Sequence, residues 1–128
     1  MSPEVFGDSG GRMLVPDEVT GAAASDSCRY LRVGAELTSV LSEEEDDFLR
    51  LLTTGIVTEF QIGFWHQTSY ASNEFRWLDG SPVGYTNWYP GQPYDPVEQP
   101  LITYVTPDGK WTDAATRYRF PYVCKYAR

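Results

Sequence analysis

Along the chain the hydrophobic pattern changes character near residue 58. Before that point apolar residues recur at helical spacing; after it they fall in short runs and alternations typical of strands. Residues 1–11 are rich in Gly, Ser and Asp and read as a flexible leader, so the folded domain is expected over 12–128. Residues 12–15 form a strand candidate that Pro16 ends. Thr20 is positioned as the N-cap of a helix running through Arg32, and Ala24, Cys28 and Leu31 make one apolar stripe that turns Cys28 inward. A second helix opens on Ser42, with Glu43, Glu44 and Glu45 completing a capping box. Phe48, Leu51 and Leu52 are its expected apolar face, and Gly55 stops it. The acidic run 43–47 suits the positive end of a helix, so solvated carboxylates are the expectation there rather than a cation site.

Strands are expected at 60–64, 74–77, 101–105 and 120–126, with turns at Asp79-Gly80 and Pro107-Asp108-Gly109-Lys110. In the last strand Phe120, Tyr122, Cys124 and Tyr126 share a face, and Pro121 suggests an edge or a bulge. Between them, residues 80–99 show no period but carry four prolines (Pro82, Pro90, Pro93, Pro96) and four aromatics (Tyr85, Trp88, Tyr89, Tyr94). An irregular stretch of this length in a small domain is functional or disordered, and its aromatic content argues against disorder. Two helices followed by strands is an α+β order.

Composition narrows the function. The chain of 128 residues is one domain in size and is 41% hydrophobic. Its net charge of −8 would repel phosphate backbones and anionic membrane surfaces, which argues against nucleic acid as a partner. No apolar run approaches the roughly 18 residues of a membrane span, and the first residues lack the basic and apolar regions of a signal peptide. The expectation is a domain excised from a longer chain, with an added start Met. His66 is the only histidine, and no Ser/His/Asp or zinc-ligand spacing occurs, so a non-enzymatic role is expected. A carboxylate pair such as Glu98 and Asp113 is the one arrangement resembling a glycosidase acid and base. By count alone, the two cysteines are open between buried thiols and a bridge.

Four blocks in order carry a family resemblance: Phe75-Arg76-Trp77-Leu78-Asp79-Gly80-Ser81-Pro82, Tyr85-Thr86-Asn87-Trp88-Tyr89-Pro90-Gly91-Gln92-Pro93, Gly109-Lys110-Trp111-Thr112-Asp113 and Tyr122-Val123-Cys124-Lys125. Together with Ala24 four residues before Cys28, the Glu43–Glu45 helix start and Ile62-Gly63, they resemble the C-type lectin-like domain over residues 12–127. The resemblance implies the C-type lectin fold: α+β, two helices with antiparallel strands and a long ligand-binding loop. It implies a Cys28–Cys124 disulfide clasping the first helix to the last strand, and hence an oxidising, extracellular setting, secreted or as an ectodomain. The second bridge usual in the family would fall at Pro100 and Thr116, and both of its cysteines are missing together.

The resemblance further implies a Ca²⁺ site that binds sugar hydroxyls. Its ligand positions fall on Gln92, Tyr94, Glu98, Thr112 and Asp113, the same residues implied to contact carbohydrate. Gln92, Glu98 and Asp113 are competent oxygen donors; a neutral Tyr94 phenol and the Thr112 hydroxyl are poor ones. Asp95 beside Tyr94 is a candidate replacement, giving Gln92, Asp95, Glu98 and Asp113 as the metal set. The acidic positions of an accessory calcium site fall near Thr68 and Ser72, neither charged. Gln92–Pro93 is a candidate cis bond, and Gln at the first motif position resembles galactose-preferring members. Trp88, Tyr89 and Tyr94 are candidates to stack on a pyranose; Trp88 is expected in the core and Tyr94 exposed. Two functions follow: a Ca²⁺-dependent module for a glycan or glycoprotein, or a calcium-independent domain binding a protein through the aromatic loop.

Overall fold

A computed structural model describes residues 3–70, 74–93 and 100–127. The elements run β1 (Phe6–Ser9), β2 (Arg12–Val19), α1 (Gly21–Leu31), β3 (Glu36–Leu37), α2 (Glu43–Thr53), β4 (Phe60–His66), β5 (Arg76–Trp77), β6 (Leu101–Val105), β7 (Trp111–Ala115) and β8 (Phe120–Lys125). The sheet path is β1-β2-β8-β4-β6-β7, with β3 on β8 and β5 on β4. This is the expected α+β arrangement. Pairings are antiparallel except β4 against β8, which meet at Gln61 and Tyr122. Buried Gln61 donates from Nε2 to the carbonyls of Val19 (2.9 Å) and Phe120 (3.1 Å), joining three strands at that one point.

Strand alternation builds two cores from the same strands. On β2, Met13 and Val15 face one way and Leu14 the other; on β8, Tyr122 and Cys124 oppose Val123. The first set packs with Ala24 and Cys28 of α1, where the Cys28–Cys124 disulfide spans 5.5 Å between Cα atoms. The second packs with Leu49 of α2 and with Phe60, Ile62, Phe64, Trp77 and Trp111.

Both helices start as their caps dictate. Thr20 caps α1, its Oγ1 accepting from the Ala23 N–H. Ser42 caps α2, accepting from the Glu45 N–H at 3.1 Å, while the Glu45 carboxylate reaches back to the Leu41 N–H at 2.7 Å. The same carboxylate pairs with Arg12 and with Lys125 (2.7 Å), tying α2 to β2 and β8.

Several expectations are corrected. Phe6–Ser9, placed in a flexible leader, form β1 and pair with β2. The strand at 12–15 continues past Pro16 to Val19. Leu51 is 78% exposed, and Leu49 is the buried leucine of α2, because the face toward the sheet runs through positions 46, 49 and 53. Asp46 is 2% exposed, so the acidic run is not wholly solvated. Pro121 lies in an interior strand rather than at an edge. Between Val15↔Tyr122 and Val19↔Phe120 the register slips, so three residues of β2 face this single proline, the bulge of the two expected alternatives. The 74–77 strand shortens to Arg76–Trp77, and β7 is a strand where none was expected.

Gly63 sits where backbones converge. Its N–H donates to the Thr38 carbonyl and its carbonyl accepts from the Leu78 N–H, both at 2.9 Å. A Cβ there would stand 2.7 Å from the Leu37 carbonyl oxygen. Gly63→Ala is expected to cost about 1–3 kcal/mol by overpacking, read as a lower urea midpoint at unchanged slope.

Candidate functional site

The long loop is held by one residue of β7. The Trp111 N–H donates to the Asn87 carbonyl and the Trp111 carbonyl accepts from the Tyr89 N–H, both at 2.8 Å. The Trp111 ring is fully buried, edge-on to Phe64, Trp77, Tyr85 and Trp88 with centroids 5.7–6.0 Å apart. Trp88 also lies 5.2 Å from Phe75 and 5.8 Å from Phe64, so its ring packs against the core while staying half-buried, short of the full burial expected. Tyr89 is 41% exposed. Pro90 and Gly91 then turn the chain, with Gly91 at φ 89° and the Gln92 N–H donating back to the Tyr89 carbonyl at 2.9 Å. The turn delivers Gln92, and the Gln92–Pro93 bond is cis as expected.

The Gln92 Oε1 is buried and has no hydrogen-bond partner among the described residues. A buried amide oxygen without a donor is uncommon, and a hard cation is one partner that suits it. Thr112 and Asp113 follow Trp111 on β7, both half-buried, opposite Tyr104 and Thr103 of β6. The backbone bonds at Trp111 therefore bring the Gln92 turn to the strand that carries them. Tyr94, Asp95 and Glu98, the remaining candidates, lie outside the described residues, as does Ser72 of the accessory positions. Among the described residues no group of three or more His, Cys, Asp or Glu side chains converges as a metal site. Of the expected set, the described residues are thus Gln92, Thr112 and Asp113, whose amide, hydroxyl and carboxylate oxygens are donors of the kind calcium takes. The Leu101↔Ala115 pair ends the β6–β7 ladder, so Pro100 and Thr116, the positions of the absent second bridge, flank that last rung.

A second anchor was not expected from sequence. Buried Asp46 accepts from the Tyr85 hydroxyl (2.8 Å) and from Asn87 Nδ2 (3.0 Å). Asn87 Nδ2 also donates to the Gly109 carbonyl at 3.0 Å, and Asn87 Oδ1 accepts from Lys110 at 3.2 Å. Helix α2 thereby grips the root of the loop and the turn before β7. The available signal was helical periodicity: Asp46 lies three residues before Leu49 and seven before Thr53, on the buried face. Burial raises the Asp46 pKa against the opposing hydrogen bonds from Tyr85 and Asn87, while burial and the Asp46 carboxylate push the Tyr85 phenol up. His66, also buried, donates from Nδ1 to the Glu74 carbonyl at 2.8 Å. The single histidine is thus a tie between backbone segments.

The comparisons with known proteins agree with this geometry. The Lectin C-type domain family matches residues 17–126. The chain belongs to the C-type lectin domain family. A lectin of Pleurodeles waltl is 33% identical over 117 residues, covering 88% of this chain and 67% of that protein. The human versican core protein is 34% identical over 110 residues, 83% of this chain but 3% of versican. Among solved structures, the C-type lectin CEL-I from Cucumaria echinata superposes with a TM-score of 0.75 at 25% identity, covering 92% of this chain and 91% of that one. Herring type II antifreeze protein does so with a TM-score of 0.79 at 25% identity, covering 94% and 95%. In this C-type lectin domain the loop, its Trp111 clamp and the Asp46 anchor form one unit.

A folded pKa above the unfolded value means that the stability Asp46 contributes is full below about pH 4 and declines as pH rises through the folded value. Asp46→Asn keeps an acceptor for Tyr85 and Asn87 and removes the titration. The unfolding free energy of wild type relative to Asp46→Asn should therefore shift in favour of wild type as pH falls from 7 to 4, measured by urea denaturation across that range.

Proposed function

We propose that this domain is an extracellular, non-enzymatic binding module that recognises carbohydrate through one Ca²⁺ held by Gln92, Asp95, Glu98 and Asp113. The observation that carries the reading is the buried Gln92 Oε1, without a partner among the described residues, at the first position of the family's sugar motif on the loop clamped to the strand bearing Asp113. The Cys28–Cys124 bridge and the extracellular character expected of such domains support the setting. When bound, the ion supplies coordination positions for sugar hydroxyls, and its charge offsets local carboxylates. The protein's part is orientation: Trp111 and the Pro90-Gly91 turn present the Gln92 amide, and exposed Tyr89 offers an aromatic face to a pyranose ring.

A second reading has its own support. Tyr94 and Thr112 weaken two of the five ligand positions, and the loop exposes two large apolar side chains, Val83 (50%) and Tyr89 (41%), which suit a protein ligand without calcium. The fold does not choose between them, since similar structures carry the names lectin and antifreeze protein.

Thermal melting with calcium and with chelator separates the two. Calcium at a hundredfold excess over its Kd should stabilise the domain by about 2.7 kcal/mol. Glu98→Ala and Asp113→Ala should each lose that shift, together with calcium-dependent binding on a glycan array. An unchanged melting point at millimolar calcium would sink the calcium reading and leave the protein-ligand one.

A further inference from the structure

A cleft of about 500 Å³ lies away from the loop, between the β2 bulge and the segment joining α2 to β4. It owes its existence to two prolines. Pro16 and Pro121 face each other where β2 and β8 lose register; neither has an N–H to give the ladder, so the strands part and β2 bulges through 16–18. The bulge sets exposed Glu18 on one wall. On the other, the helix ends at Thr53, Gly55 takes φ 84°, and residues 55–59 run along the cleft before β4 begins. That wall presents Ile56 (43% exposed), Val57 and half-buried Glu59.

The lining is two carboxylates among largely proline and aliphatic surface, and among the described residues no Lys, Arg or His lines the cleft. Among the described residues neither Glu18 nor Glu59 takes part in an ion pair, whereas Glu36, Glu45 and Glu74 each do. A smaller cavity of about 230 Å³ shares Gly55, Val57 and Thr58 with the cleft and extends it toward Thr106 and Gly109. Arg50 lines that extension, so a cation entering the groove is favoured at the Glu18–Glu59 end.

We propose that this groove is a docking surface for an extended basic segment of a protein partner, with a Lys or Arg stem on Ile56 and the two prolines and its charge between Glu18 and Glu59. Charge complementarity selects the occupant: an acidic segment would be repelled, and a neutral apolar one would leave both carboxylates desolvated and unpaired. The surface shares no residue with the loop site, so the domain can hold a loop ligand and a basic partner together.

The test is an NMR titration of the whole domain in chelator, which keeps it independent of the calcium reading. The probes are an acetylated, amidated GRKRG peptide and its GEDEG counterpart. GRKRG should shift the backbone amides of Ile56, Val57, Thr58 and Glu59, and GEDEG should shift none of them. Glu18→Gln combined with Glu59→Gln should weaken GRKRG binding by about fivefold or more, while Glu43→Gln with Glu44→Gln should change it by less than about twofold. Shifts centred on residues 43–47 or on the loop, or equal affinity for the Glu18/Glu59 variant, would overturn the proposal. All four substitutions are at exposed or half-buried carboxylates, and the dispersed amide spectrum of each variant confirms its fold in the same experiment.

Discussion

The arrangement of the loop depends on Trp111. Its side chain is buried among ring contacts of 5.7–6.0 Å, and its backbone donates to and accepts from the loop on either side of Trp88. An edge strand exposes unpaired N–H and C=O groups, which here become the means of capturing an irregular segment. Burial of the ring fixes where those groups point, so core packing and loop position are one constraint. The clamp thus stands in place of regular secondary structure along 81–93.

Around that clamp the protein places charge where it is costly. Asp46 lies in the interior so that Tyr85 and Asn87 have a common acceptor, and its second oxygen has no hydrogen-bond partner among the described residues. Glu45, one residue earlier, accepts from the Leu41 N–H and meets two cations. One acidic helix start therefore caps α2, binds it to β2 and β8, and anchors the loop. The helix dipole favours carboxylates in this first turn and offsets part of the cost of burying Asp46.

The two ends of the domain are joined differently. On the α1 side the disulfide and the Met13–Tyr122 layer hold the first helix to the last strand; on the α2 side aromatic packing holds the sheet. A bridge between residues 96 apart in sequence constrains the unfolded chain strongly, by about 4–5 kcal/mol in the chain-entropy account. With no second bridge at Pro100 and Thr116, the loop relies on the Trp111 and Asp46 contacts.

The sequence by itself determined the two helices and both their N-caps, most of the strands, the inward stripe of Cys28 and the family, because capping, periodicity and spaced motifs are local features. Only tertiary structure decided what depends on distant partners. Leu49 rather than Leu51 faces the sheet because α2 docks through positions 46, 49 and 53, and an eleven-residue helix offers two plausible apolar faces. Phe6–Ser9 become a strand because β2 has an open edge, which no property of a Gly-rich segment announces. Pro121 enters an interior strand because β2 bulges opposite it and relieves the missing hydrogen bond. Asp46 is legible as one acid among five; burial beneath Tyr85 and Asn87 gives it a role, and those residues lie about forty positions away.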